Sequence, residues 1–282
     1  MTPIVVDNAS SDGTLGKVQG ARVIANSTNR GFAAAANQGF RATDAEAVLL
    51  LNPDVSLIDN LDPVLAACRK SGAAAGKLVD ASGVAQQGFS IRRFPTPSTL
   101  RWEILGLNRL FPSNPVNRHY RYLDRDLNTP GPVEQPAGAF LMVRRDVWER
   151  VGGLDEQFHP IWFEDVDLCY QIVTLGYRVE FVPSVTALHK GGDSIHRLSR
   201  GCRDLYWYAS LLRYAAKYFS LWENRGIGLT ILLSSVPRML HGVLRERSFA
   251  SARYWVNIIK LASNRLVTGV VRVSPENNQV RQ

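Results

Sequence analysis

The sequence predicts an α/β fold, with a mostly parallel central sheet flanked by helices and a helical, basic C-terminal region. Two observations carry that prediction. Short apolar runs, each ending in polar residues, alternate with helical patterns along the first half of the chain, as strands and crossover helices do in a parallel sheet. The charge is also divided. The 282 residues hold 33 Lys+Arg and 25 Asp+Glu, a net +8, yet Arg197–Gln282 carry 14 basic and 4 acidic residues while residues 1–196 carry 19 and 21. A boundary near 196/197 is expected, separating a domain over 1–196 from a helical extension over 197–282.

The elements follow in order. "PIVVDNASSDG" is a short apolar run entering Asp, Asn, Ser and Gly, hence a buried strand and a polar turn, and "ARVIANSTNRG" repeats the pattern. "FAAAANQGFRATD" is alanine-rich and predicts a helix with Gly39 near its end. "AEAVLLLNPDV" is a continuous apolar strand stopped by Asn-Pro-Asp. Residues 88–135 are proline-broken and rich in arginine and aromatics, the composition of a lid, a binding loop or a disordered connection. "GAFLMVRRDVWERVGGLDEQF" predicts a strand, a short helix and a glycine turn. From Asp204, residues Leu205, Tyr208, Leu212, Ala215, Phe219 and Trp222 recur at spacings of three and four, an amphipathic helix.

Composition removes several function classes. Three scattered cysteines (Cys68, Cys169, Cys202) suggest neither a disulfide framework nor a zinc site, and fit a reducing, cytoplasmic setting. The opening "MTPIVVDNAS" has no basic or apolar leader region, so no signal peptide is expected. The basic C-terminal region would attract anionic lipid or phosphorylated ligands; no helix-turn-helix, zinc-finger or RNA-binding pattern accompanies it, so nucleic acid is not an expected partner. The longest uncharged apolar run there, "GIGLTILLSSVP", is shorter than the roughly 20 residues of a membrane span, so no crossing is expected.

The chemistry concentrates in "WFEDVDLCYQIVTLGYRV". Glu164, Asp165 and Asp167 lie among Trp162, Phe163 and Leu168, and ionised carboxylates avoid both each other and apolar surroundings unless something offsets the cost. Ligands of open α/β sheets bind at the carboxyl ends of strands, which gives weight to Asp7, Asn8, Asn29 and Asp54. Unaided, Asp7-Asn8 and Asn52-Pro53-Asp54 read equally well as polar turns, His189 as a surface histidine, and the three carboxylates as N-terminal helix caps.

"VVDNASSDGT", "NRGFAAAANQGF", "LLLNPDV", "PAGAFLMVRRDVWERVGGLDEQF", "WFEDVDLCYQIVTLGYRV" and "HKGGDS" occur in the order found in family 2 glycosyltransferases. The chain most resembles their rhamnosyltransferase-like branch, from about Pro3 to Ser194. The resemblance implies a GT-A fold and an inverting, metal-dependent transfer of a sugar from a nucleotide diphosphate. Asp54 resembles the last aspartate of the metal-binding DxD, with Asn52 in place of the first, and His189 the histidine completing the shell of a divalent metal, Mg²⁺ or Mn²⁺. Asp165 resembles the catalytic base and Glu164 its neighbour, which touches the acceptor or tunes it. Asp167 would stabilise the helix. Asp7 resembles the aspartate that bonds the nucleotide base, Asn29, Arg30 and Gly31 would lie beside the nucleotide, and Gly138 and Ala139 resemble the small step flanking the sugar pocket. Arg197, Arg200 and Arg203 would close over the diphosphate, or form a solvated basic loop.

One departure stands out. The family begins with a further strand and helix, about 30 residues by the size of such a unit, ahead of "VVDNASSDG". A misplaced start or truncation is the expected explanation. The resemblance suggests dTDP-L-rhamnose as donor, a polyprenyl-diphosphate-linked or polysaccharide acceptor, and cell-envelope glycan assembly as the role. Peripheral attachment to the cytoplasmic face of the inner membrane is expected, with Trp207, Trp222 and Trp255 as anchors; the other reading of this region is a packing helix. The alternative function is a non-catalytic binder of nucleotide sugars or glycans.

Overall fold

A computed structural model describes residues 1–191, 198–246 and 250–268. Along the chain run β1 (Ile4–Asp7), α1 (Thr14–Lys17), β2 (Arg22–Ala25), α2 (Phe32–Arg41), β3 (Ala47–Leu51), β4 (Val55–Leu57), α3 (Asp62–Ser71), β5 (Gly72–Val79) and β6 (Ile91–Arg92). Three helices follow, α4 (Pro97–Leu105), α5 (Leu107–Leu110) and α6 (Pro115–Tyr120), then β7 (Gly131–Val133), β8 (Gln135–Pro136), β9 (Phe140–Arg144), α7 (Arg145–Val151), α8 (Glu164–Thr174) and β10 (Arg178–His189). Three long helices follow among the described residues: α9 (Arg200–Tyr218), α10 (Leu221–Glu246) and α11 (Ala250–Thr268).

The chain divides into two compact units, one of residues 1–93 with 125–191, the other of 94–124 with 192–282. The segment 94–124 groups with the C-terminal helices rather than with the sequence on either side of it.

In the first unit, six strands form one sheet in the order β3-β9-β5-β10-β4, with β7 also paired to β10. The sheet is mixed, which corrects the mostly parallel expectation. Only β5–β10 runs parallel; β3–β9, β5–β9, β10–β4 and β10–β7 are antiparallel. The physical reason is the excursion through 94–124, from which the chain returns as β9 and enters between β3 and β5 in the opposite sense. Helix α3 covers the sheet, and Val64, Cys68, Ala74, Leu78, Phe140 and Val185 form the core between them. β1 and β2 pair in parallel as a separate two-stranded sheet, from Ile4↔Arg22 to Asp7↔Ala25.

The second unit is helical. Part of the segment expected as a lid or loop folds here as α4–α6, because Thr96 and Asn114 cap α4 and α6 and a proline follows each cap. The long amphipathic pattern breaks earlier than expected. Phe219 is extended (φ −108°, ψ 154°), and Ser220 with Glu223 forms a reciprocal cap that starts α10: the Ser220 N–H donates to Glu223 Oε2 (3.0 Å), and the Glu223 N–H to Ser220 Oγ (3.4 Å). The uncharged run "GIGLTILLSSVP" is thus the middle of a 26-residue helix. Among the described residues this is the one helix long and apolar enough, by length and composition, to cross a membrane; 28% of its apolar window is buried.

Candidate active site

Most candidate site residues of the first unit lie at strand ends; Glu164 and Asp165 open α8. β3 stops at Leu51, and residues 52–55 turn, with the Val55 N–H bonded to Asn52 O (3.0 Å). The turn delivers Asp54 to the end of β10, because Val55 is registered opposite His189 and the Lys190 N–H donates to Asp54 O (3.1 Å). His189 Nε2 consequently stands 3.5 Å from Asp54 Oδ2, with both side chains nearly buried.

The orientation of His189 is fixed by Gln86, a residue the sequence did not single out. Gln86 Nε2 donates to the His189 carbonyl (2.9 Å), so its Oε1 must face His189 Nδ1, 2.8 Å away. A carbonyl oxygen only accepts, so Nδ1 carries the hydrogen. The Phe89 ring stacks on the imidazole at 4.9 Å and 8°. In a neutral ring Nε2 then presents its lone pair toward a carboxylate oxygen, a repulsive contact unless a cation is shared or Nε2 is protonated. One imidazole nitrogen whose other nitrogen is hydrogen-bonded, beside one carboxylate, is a donor set that fits a divalent metal. Among the described residues no group of three or more His, Cys, Asp or Glu could hold one.

Two backbone contacts connect this corner to the acidic cluster. The Asn52 N–H donates to Ala139 O (3.1 Å), and the Gly138 N–H donates to Asp165 Oδ2 (2.9 Å). Asp165 is further held by Gln135 Nε2 on Oδ2 (3.3 Å) and the Val166 N–H on Oδ1 (2.8 Å). A Cβ on Gly138 would come within 2.9 Å of Asp165 Cβ, so the absent side chain makes room for the carboxylate rather than for a ligand alone. Ala139, expected at the pocket wall, is a buried member of the sheet core.

Helix α8 opens at Glu164, after two consecutive left-handed aromatic residues, Trp162 (φ 77°) and Phe163 (φ 70°). Bulky side chains rarely adopt this conformation, and each such residue costs on the order of 1–3 kcal/mol. Strain of this kind gathers where geometry is being imposed, and here it sets the direction of Glu164 and Asp165. Glu164 is buried and its Oε2 has no hydrogen-bond partner. Burial pushes its carboxyl well above the ordinary range, with the Asp165 charge adding to the effect. Asp167 is fully buried in the first turn of α8 and accepts from Gln171 Nε2 (2.7 Å), in keeping with a structural role.

The remaining positions form a second group at the ends of β1 and β2. Asp7 is buried, and its Oδ2 accepts from the Ser10 N–H (3.1 Å). Asn8 fastens the 29–31 loop: its Nδ2 donates to Asn29 Oδ1 (2.9 Å) and Gly31 O (3.1 Å), and its Oδ1 accepts from the Arg30 N–H (3.0 Å). Gly31 (φ +84°) leaves no room for a side chain, since a Cβ would lie 2.7 Å from His159 Nδ1. Asn37 is structural, exchanging hydrogen bonds with the backbone of Leu154 (2.9 and 3.0 Å). Arg200 and Arg203 belong to the second unit, Arg200 lying 4.0 Å from Asp204; Arg197 lies outside the described residues. Burial pushes the Cys68 thiol up to about 12 and raises that of Cys169, which leaves neither as a nucleophile.

Comparison with known proteins gives this geometry a context. The family model "Glycosyl transferase family 2" matches residues 3–152. The N-acetylglucosaminyl-diphospho-decaprenol L-rhamnosyltransferase of Mycobacterium tuberculosis is 30% identical over 214 residues, covering 69% of this chain and 68% of that protein. Rhamnosyltransferase WbbL of Escherichia coli K12 is 28% identical over 154 residues, covering 53% of this chain and 54% of its own. A crystal structure of GalNAc-T7 with UDP, GalNAc and Mn²⁺ covers 77% of this chain and 44% of that one, at 15% identity and a TM-score of 0.48.

Proposed function

Because the chain belongs to glycosyl transferase family 2, we propose that it transfers L-rhamnose from dTDP-rhamnose to a polyprenyl-diphosphate-linked acceptor, with inversion and with the help of a divalent metal, in cell-envelope glycan assembly. The observation that carries this reading is the hydrogen-bonded route from Asp54 and His189 through Asn52, Ala139 and Gly138 to Asp165. It supports placing a diphosphate-neutralising site and a proton acceptor at one end of one sheet.

Asp54 and His189 would hold the metal, which supplies positive charge against the departing diphosphate. Gln86 keeps Nδ1 of His189 protonated and Nε2 available. Asp165 takes the proton of the acceptor hydroxyl as that oxygen bonds to the anomeric carbon and the bond to the diphosphate oxygen breaks on the opposite face. The N–H groups of Gly138 and Val166 and the amide of Gln135 fix the carboxylate for that task. Burial and the neighbouring Asp165 charge raise the Glu164 carboxyl, which disfavours a second negative charge beside the base. Asp7 and the loop fastened by Asn8 would receive the nucleotide.

The test is transfer from dTDP-rhamnose to a decaprenyl-diphosphate-linked N-acetylglucosamine in the presence of Mg²⁺ or Mn²⁺, with the anomeric configuration of the product read by NMR. The expected result is an inverted product, and a rate reduced about 10²–10⁴-fold in Asp165→Asn. Donor binding without transfer, in a chain whose Asp165→Asn variant behaves identically, favours the non-catalytic binder instead.

A further inference from the structure

Helix α10 shows solvent a row of large apolar side chains: Trp222 is 76% exposed, Leu229 51%, Leu233 66%, Val236 47%, Leu240 55% and Leu244 78%. From Leu229 onward the spacing is three or four residues, so the row forms a narrow stripe along the helix, roughly 33 Å long at 1.5 Å per residue. Soluble monomers seldom leave such a continuous apolar surface bare.

The other side of the same helix excludes a spanning role. Ile227 and Ile231 are fully buried there, together with Asn224, Ser234 and Ser235. Arg238 donates to Tyr208 Oη (2.8 Å) and Ile104 O (2.5 Å). A span would strip these polar groups of their protein surroundings and expose a charge to hydrocarbon. A helix with one apolar face outward and a polar-studded face packed inward lies on a surface.

Charge identifies the surface. Arg225 and Arg245 are exposed on α10, and Arg253 and Lys260 on α11, which packs against it. The one exposed acid among the described side chains of these two helices is Glu223, engaged by Ser220 in the helix cap. A second copy of this face would set like charges against each other, whereas lipid phosphates complement them. We propose that α10 docks flat on an anionic phospholipid bilayer, its Trp222–Leu244 row seated at the acyl boundary and Arg225, Arg253 and Lys260 on headgroup phosphates. The docking surface narrows the expected anchors, because Trp255 is buried against Tyr208 and Trp207 is only partly exposed, which leaves Trp222. None of the residues assigned to the chemistry takes part.

The experiment is vesicle flotation with the full chain, on phosphatidylcholine alone and on phosphatidylcholine with about 30% phosphatidylglycerol. The wild type is expected to float with the anionic vesicles only and to be released by salt. A variant with Leu229→Ser, Leu233→Ser and Leu240→Ser is expected to bind about tenfold more weakly or worse, with donor turnover on a water-soluble acceptor unchanged. Arg253→Gln with Lys260→Gln, which leaves the apolar row intact, is expected to weaken anionic binding severalfold, and keeps the test decisive should the serine variant not fold. The proposal is overturned by absence of flotation, by equal binding to neutral vesicles, by binding undiminished in either variant, by resistance to alkaline extraction as a span would show, or by a dimer that the serine variant dissolves.

Discussion

The Asp54–His189 corner and the Glu164–Asp165 corner are linked by one backbone hydrogen bond, Asn52 N–H to Ala139 O, and one from the Gly138 N–H to the Asp165 carboxylate, yet they reach their geometry in different ways. At the first, ordinary strand pairing and one glutamine do the placing: Val55 faces His189 in register, and Gln86 grips both the carbonyl and the ring of the histidine. At the second, the backbone is strained through Trp162 and Phe163, one carboxyl oxygen has no partner, and the neighbouring carboxylate takes three N–H donors. Holding a metal, as proposed for the first corner, would need two donors at a fixed separation, which regular structure provides. Accepting a proton, as proposed for the second, would be served by two carboxyls in unequal environments, one hydrogen-bonded and one buried without a partner on Oε2. An aspartate occurs in both corners, and what surrounds it sets what it can do.

Substitutions that touch one corner should leave the other's property intact. The largest effect is expected from Gln86→Leu, which frees the histidine ring and its tautomer. Affinity for Mn²⁺, read by electron paramagnetic resonance, should weaken about 10–100-fold, while the thermal midpoint moves little. Unchanged affinity would mean that Gln86 serves packing alone. Next is Gly138→Ala, whose methyl would meet Asp165 Cβ at 2.9 Å. Displacing the base should lower kcat by about tenfold or more at unchanged Mn²⁺ affinity; a loss in affinity equal to the loss in rate would show that the two corners move together.

The smallest effect concerns Glu164. Burial holds its carboxyl well above the ordinary value of 4.5. Above that value the unfolded chain releases the proton while the folded chain keeps it, so native stability falls as pH rises from there until the folded group itself ionises. Glu164→Gln removes this titration. Thermal scans should show the variant gaining on the wild type between about pH 5 and about pH 8, and an equal difference at both would contradict the assignment of a retained proton.

Much of the first unit was legible in the sequence. The apolar runs ending in Asp-Asn and Asn-Pro-Asp became β1 and β3, the alanine-rich stretch became α2, and "FEDVDL" became the start of α8. Strand order was less legible, because hydrophobic runs carry no direction and the excursion through 94–124 reverses the chain before β9. The helices of that excursion left a signal that composition obscured: Thr96-Pro97 and Asn114-Pro115 are cap-and-proline starts, and Ser220 with Glu223 is a capping box inside what reads as one helix. Asp54, His189 and Asp165 came from motif resemblance, and their carbonyl, amide and carboxylate contacts bring them to connected backbone. Gln86 and Gln135 gave no signal, since a lone glutamine outside a motif shows its partner only when the chain is folded.

The central claim is that Asp54 and His189 hold one divalent ion. The most direct measurement is a Mn²⁺ titration of the wild type, Asp54→Asn and His189→Ala with dTDP present, read by electron paramagnetic resonance. One bound ion is expected in the wild type, and at least a tenfold loss of affinity in each variant. Affinity in both variants equal to that of the wild type would contradict it.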